Sequence, residues 1–142
     1  MKIKAQGAVV ALGTFDGVHA GHRALISEAA GLAKALHASP LIYTFRNHPL
    51  SLFGREPRLL MTPEERIAAL AATGIPVAAD AFDARLAATP PRDFVCMLVE
   101  RFALRGIVAG FNYTFGHKAQ GTPEVLMQEG RKHGFGIHIQ EP

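Results

Sequence analysis

The sequence predicts a parallel α/β domain, with one sheet covered by helices on both faces. Short apolar runs alternate along the chain with segments of helical periodicity. None of the apolar runs alternates cleanly with polar residues, as expected of strands buried from both sides. Three Thr-Pro pairs, Thr62-Pro63, Thr89-Pro90 and Thr122-Pro123, each place a capping hydroxyl ahead of a proline suited to the first helical position.

The first strand is expected at 7–13, around Ala8-Val9-Val10-Ala11-Leu12. That run is too short for a secretory h-region, and Gly13-Thr14-Phe15-Asp16 ends it without a small-residue cleavage site. A helix at 20–37 follows, carrying Leu25, Ala29, Leu32 and Leu36 as one apolar stripe. Gly31 inside it costs about 1 kcal/mol relative to Ala. A second strand at 40–45 leads into an irregular stretch from Arg46 to Met61, which contains Pro49, Gly54 and Pro57. Loops of that length in a compact domain are usually functional or mobile. In a parallel sheet this one emerges at the carboxyl edge, where ligands bind. The helix at 63–73 opens on Thr62, with Glu65 completing a capping box. A strand at 75–79 precedes a helix at 90–104 that puts Phe94, Leu98 and Phe102 on one face. A strand at 106–110, a helix at 122–133 and a strand at 136–140 complete the series. Arg131, Lys132 and His133 sit where cations offset a helix dipole.

With 142 residues, 49% hydrophobic and 19% charged, the composition is that of one globular domain. No run approaches the roughly 20 apolar residues that span a bilayer, so no membrane partner is expected. The formal charge of +3 suits anionic ligands but is not the concentrated basic stripe of a nucleic-acid binder. Cys96 is the single cysteine, which excludes an internal disulfide and fits a cytoplasmic location. Within Phe94-Val95-Cys96-Met97-Leu98-Val99 it reads as a buried structural thiol.

The chemistry concentrates in Gly13-Thr14-Phe15-Asp16-Gly17-Val18-His19-Ala20-Gly21-His22, where a strand gives way to a helix. The glycines let the backbone turn and approach a ligand closely. A helix N-terminus offers unpaired N–H groups to phosphate, and His19 and His22 can reach the same group. This suits phosphoryl chemistry, where positioning and charge stabilisation dominate. The segment lacks the Gly-Lys-Ser/Thr of a P-loop and the spacing of G-x-G-x-x-G. No cysteine or acidic cluster completes a zinc site with the two histidines.

His19-Ala20-Gly21-His22 resembles the H-x-G-H motif of the nucleotidyltransferase superfamily. The longer string from Gly13 to His22 resembles its FAD synthetase branch, the N-terminal half of bacterial bifunctional riboflavin kinase/FAD synthetases. Thr44-Phe45-Arg46-Asn47-His48-Pro49 is similar to that family's T-F-x-P-H-P, with Asn47 in place of proline. Leu60 to Arg66 resembles its helix-opening L-T-x-x-E-[KR], and Val108 to Gly116 its V-V-G-x-[DN]-[FY]-x-F-G. The resemblance covers essentially the whole chain and implies a Rossmann-like five-stranded parallel sheet in order 3-2-1-4-5. The family's I-S-S-T-x-[IV]-R motif has no counterpart, since Ser27, Ser39 and Ser51 are isolated. A domain over 1–142 truncated at its C-terminus is therefore expected, without the riboflavin kinase domain that could accompany it in a parent chain. Asn47 is expected to loosen the loop bordering the flavin.

The resemblance implies transfer of AMP from ATP to FMN, giving FAD and pyrophosphate, with Mg²⁺. It implies His19, His22 and Asn112 as catalytic residues. Gly13, Thr14, Phe15, Asp16, Gly21 and His22 would bind ATP, with Asp16 equally readable as a turn cap. His48, Pro49, Asn112, Tyr113, Phe115 and Lys118 would bind FMN, and Phe45 and Phe111 add aromatic surface. Asn112 is the one side chain offered to the metal. Three alternatives stay open: a cytidylyltransferase, a phosphopantetheine adenylyltransferase, or a flavin- or nucleotide-binding module without turnover.

Overall fold

A computed structural model describes residues 7–16, 20–48 and 61–142 of the chain. Its elements are β1 (Ala8–Leu12), α1 (Ala20–Ala35), β2 (Ser39–Phe45), α2 (Pro63–Ala71), β3 (Val77–Asp80), the single turn α3 (Ala84–Ala87), α4 (Pro91–Phe102), β4 (Leu104–Gly110), a 3₁₀ turn (His117–Ala119), α5 (Pro123–His133) and β5 (Gly136–Gln140). Among the described residues, five parallel strands form one sheet in the order β3-β2-β1-β4-β5. That is the expected architecture.

β1 explains why the apolar run is unbroken. Ala8, Val10 and Leu12 join a core with Phe94, Leu98 and Phe102 of α4 and Leu126 of α5. Val9 and Ala11 point the other way, to Leu25, Ile26 and Ala29 of α1 and Leu70 of α2. Both faces are covered, so every position must be apolar. The expected stripe of α1 packs as read: Leu25 and Ala29 are buried, and Leu32 and Leu36 lean on the same core. Gly106 of β4 permits this close approach, because a Cβ there would lie 3.2 Å from the Leu32 methyl. Gly31 faces open space, and nothing in the structure explains it.

The helix ends sharpen the sequence reading. Thr62 caps α2 as expected, accepting from the Glu65 amide while the Glu65 carboxylate accepts from the Thr62 amide. Thr122 caps α5 by accepting from the Val125 amide. Thr89 does not cap α4; its hydroxyl donates to the Arg85 carbonyl at 2.9 Å, and the helix begins one residue later, with Pro90 at the cap. Thr89 was captured by the preceding turn α3, itself capped by the Asp83 carboxylate. α3 and the 3₁₀ turn were absent from the sequence reading, since three or four residues leave no periodicity to detect.

Boundaries shift for local reasons. α1 stops at Ala35, short of 37, and His37 turns into the left-handed region at φ 55°. α4 stops at Phe102 because Ala103 is left-handed at φ 49°, which lets β4 start at Leu104 rather than 106. Gly74, at φ 83°, prolongs the turn after α2, so β3 begins at Val77. Cys96 is half-buried rather than buried, since α4 seals its face with Phe94, Val95, Leu98 and Phe102. Its Sγ lies 3.9 Å from His133 Nε2, on the seam with α5.

Replacing Thr62 by Ala is expected to cost about 1 kcal/mol in denaturant unfolding at neutral pH. The backbone and hydroxyl bonds to Thr62 hold the Glu65 carboxyl below its usual range. A depressed carboxyl stabilises above its unfolded pKa and loses that contribution as pH falls through the folded one. Thr62→Ala keeps the backbone donor and loses only the hydroxyl's smaller share, so the gap between wild type and variant should narrow slightly on acidification below about pH 4.

Candidate active site

The strand order reverses between β1 and β4, so their following loops part and leave a crevice at the carboxyl edge. This crevice measures ≈ 750 Å³ and lies between Gly13–Phe15, the first turn of α1 and Gly110–Thr114. Its floor is set by Phe15, a fully buried residue at φ 57°. A left-handed phenylalanine is held there only by its surroundings. Its ring tucks beneath Gly13, where a Cβ would come within 2.9 Å of it. The same ring meets the half-buried His22 edge to face, centroids 5.4 Å apart at 74°. Phe15 thus seats Gly13 and His22 at the border of the crevice.

α1 has no acidic residue in its first turn to offset its positive N-terminal end, which borders the crevice. On the far wall, a turn closed by the Tyr113 amide donating to the Gly110 carbonyl at 3.1 Å presents Phe111 and Asn112. Asn112 is exposed, and its Oδ1 lies over the end of β4. Gln140 ties the two walls together. Its amide nitrogen donates to the Gly21 carbonyl at 3.3 Å, and its backbone carbonyl accepts from the Phe111 amide at 3.0 Å.

On the other side of β1, Arg66 of α2 is buried against the end of β2. Its guanidinium donates to Thr44 Oγ1 at 2.9 Å, to the Phe45 carbonyl, and to the Arg46 carbonyl at 3.2 Å. Burial pulls this guanidinium below its ordinary pKa, and the nearby Asp16 carboxylate opposes the shift. The Thr44 hydroxyl donates onward to the Thr14 carbonyl at 3.4 Å. Asp16 accepts from the Met61 amide at 3.3 Å. Its observed bond is thus a structural tie between the β1 loop and the entry to α2.

Asn47, expected to loosen the loop after β2, is itself held at the strand's end: it donates to the Phe82 carbonyl at 2.9 Å and accepts from the Phe82 amide at 2.7 Å, while residues 49–60 of that loop lie outside the described residues. The side chain imitates a strand's donor–acceptor pair and locks the exit of β2 to the exit of β3. Phe82 is thereby held against Phe45, centroids 5.0 Å apart. These two rings, with Leu86, Phe94, Phe115 and Lys118, border a largely apolar cleft of ≈ 330 Å³. Beneath it the buried Tyr43 phenol donates to Asp80 at 2.7 Å, and Arg101 holds the same carboxylate oxygen at 2.7 Å. Burial first, then that bond, pushes the Tyr43 phenol far above its usual pKa. Burial does the same for Tyr113.

Gly13, Thr14, Phe15, Gly21, His22, Asn112 and Tyr113 converge on the large crevice. The residues expected at FMN divide. Asn112 and Tyr113 lie on the large crevice, whereas Phe115 and Lys118 line the aromatic cleft. His48 borders a third space of ≈ 20 Å³ beside Asp16 and Arg66, room for about one water. Thr114 lines both the crevice and the aromatic cleft. His19, Gly17 and Pro49 lie outside the described residues. Gln140 and Phe82 were not anticipated, because neither belongs to a motif or a periodic face. Among the described residues no group of three His, Cys, Asp or Glu could hold a metal ion, and no helix is long and apolar enough to cross a membrane.

The family model for FAD synthetase matches residues 1–142. A bifunctional riboflavin kinase/FMN adenylyltransferase of Escherichia coli K12 is 31% identical over 136 residues, 93% of this chain and 44% of that relative. The protein of the same description from Bacillus subtilis strain 168 is 33% identical over 123 residues, 84% of this chain and 39% of its own length. A crystal structure described as a macrolide-efflux protein from Streptococcus pneumoniae superposes with a TM-score of 0.79 at 26% identity. It covers 99% of this chain and 47% of that one. The chain spans less than half the length of these relatives.

Asn47→Ala removes both bonds to Phe82, each worth about 0.5–1.5 kcal/mol net. A loss of about 1–3 kcal/mol in urea unfolding is expected, with faster hydrogen exchange at the Phe82 amide. Unchanged exchange there would show that the amide clamp does not hold the segment.

Proposed function

The chain belongs to the FAD synthetase family, and from that we propose that it is the FMN adenylyltransferase unit of a longer protein, transferring AMP from ATP to FMN to give FAD and pyrophosphate. One observation carries this reading beyond membership. A crevice at a helix mouth and an aromatic cleft share Thr114 as a lining residue, on the single loop after β4. A nucleotide in the first and a flavin in the second would bring their phosphates together at that residue.

In this scheme an FMN phosphate oxygen attacks the α-phosphorus of ATP. The new P–O bond forms as the bond to the β-phosphate oxygen breaks, and pyrophosphate leaves with the electron pair. The attacking phosphate is already anionic, so no base or covalent intermediate is required. Gly13, Thr14 and the first turn of α1 present backbone to the polyphosphate, and His22, seated on Phe15, holds charge on it. His19 would act beside it. The reading leaves Asp16 to its tie with Met61. Asn112 would orient phosphates at the crevice wall, and Lys118 would meet the FMN phosphate at the edge of the cleft. Phe45, Phe82 and Phe115 offer the isoalloxazine ring an apolar, aromatic slot. His48 and Pro49 would border the flavin from the loop after β2.

Mg²⁺ prefers hard oxygen donors and keeps most of its shell as water and substrate phosphate. The exposed Asn112 and Thr14 side chains suit an ion that arrives with ATP better than a dedicated protein cage. Such an ion would neutralise charge on the triphosphate. In the whole protein a riboflavin kinase unit would supply the FMN, and the reaction would run in the cytoplasm on soluble nucleotides.

Incubation with FMN, ATP and Mg²⁺ is expected to yield FAD by chromatography, with no product when CTP replaces ATP. His22→Ala should lower kcat by about a hundred-fold with FMN affinity retained. FMN binding without FAD formation would favour a non-catalytic flavin module. Product from CTP or from another acceptor would point to a related nucleotidyltransferase.

A further inference from the structure

We propose that Phe111 is the base platform of the large crevice, the surface on which the nucleobase stacks while its phosphates reach the mouth of α1. This rests on the nucleotidyl-transfer reading. It also removes Phe111 from the aromatic surfaces offered to flavin.

The loop after β4 carries three aromatic residues with different fates. Tyr113 and Phe115 stack on each other, centroids 6.2 Å apart at 17°, and Phe115 is 5% exposed. Phe111 packs into neither core and is 50% exposed. Among the described residues, Met127 is the other large apolar side chain left exposed, and it lies on α5, away from the crevice walls. An exposed phenylalanine on the rim of a nucleotide-sized crevice forfeits burial that a planar ligand would restore. Its position is also fixed. The Phe111 amide donates to the Gln140 carbonyl, and the Gln140 side chain donates to Gly21 at the start of α1. One residue therefore sets the span from the aromatic rim to the phosphate-binding helix end. A ring at one end of that span and helix amides at the other match a base and its polyphosphate.

The experiment is equilibrium titration of the full chain with ATP and, separately, with inorganic tripolyphosphate, which has no base. Phe111→Ala should weaken ATP binding about ten-fold and leave tripolyphosphate binding unchanged. Phe111→Tyr should keep the ATP affinity, and Phe111→Leu should fall between the tyrosine and alanine variants. An equal loss for both ligands would mean that Phe111 only shapes the crevice, and unchanged ATP binding would place the base elsewhere; either overturns the proposal. If the alanine variant does not fold, the leucine–tyrosine difference for ATP decides in its place. The readout needs no turnover. A chain that makes no FAD yet shows the selective loss upholds the platform and sinks only the assigned reaction. One that makes FAD with Phe111→Ala binding ATP normally does the reverse.

Discussion

Everything that matters for ligand binding follows from β1 lying at the centre of a parallel sheet whose order reverses beside it. β1 is flanked by β2 on one side and β4 on the other, with helices packed over both faces. Its side chains have no choice of environment, so the strand is apolar at every position, and the chain must leave it abruptly at the carboxyl edge. The crossovers that leave β1 for β2 and β4 for β5 depart in opposite directions. The gap between them forms without any special loop sequence. What the sequence adds is the content of the gap: glycine where backbone must be bare, histidine at the helix mouth, and an amide and an aromatic ring on the facing wall.

The flank toward β2 is organised by a buried charge rather than by apolar contact. Arg66 reaches from α2 into the end of β2 and gathers two backbone carbonyls and the Thr44 hydroxyl. These acceptors lie where strand pairing runs out, and a guanidinium with several fixed donors is suited to satisfying them together. Its desolvation is offset by the Asp16 carboxylate at the end of the β1 loop. Asp16 also accepts from Met61 ahead of α2. The β1 loop, the end of β2 and the entry to α2 thus form one hydrogen-bonded unit. That unit reaches the crevice through Thr14, whose carbonyl accepts from the Thr44 hydroxyl.

Much of this was legible in the sequence, and the limits were physical. The two-sided burial of β1 and the stripes of α1 and α4 are written as composition and periodicity, because a residue's neighbours in space recur at a fixed spacing. Sheet order came from resemblance, since strand adjacency leaves no local mark on the chain. Caps were readable at Thr62 and Thr122 but not at Thr89, whose hydroxyl is taken by the turn before it while the second of two prolines, Pro91, opens the helix. The crevice residues near Gly13 and Asn112 were found through motifs. Gln140 and Phe82 were not, because each acts by a single hydrogen-bonded tie to a residue far away in sequence, and such ties have no period. The expected flavin set divided because the loop after β4 faces two clefts. Residues 112 and 113 serve one and 115 and 118 the other, a distinction that adjacency in sequence conceals.

Asn47 shows how a departure from a family's pattern can conserve a physical outcome. Proline at such a position stiffens the chain by fixing φ and reducing the freedom lost on folding. Asparagine leaves the backbone free and would be expected to slacken it. Here the side chain supplies a donor to the carbonyl and an acceptor to the amide of one residue, Phe82, so the constraint reaches across to the exit of β3. The consequence differs in one respect. Proline would stiffen only its own backbone, whereas asparagine ties the end of β2 to Phe82, which packs on the Phe45 ring that walls the aromatic cleft. The shape of the cleft is therefore tied to the end of β2, and a substitution that looks like a loss of rigidity joins two walls that proline would leave independent.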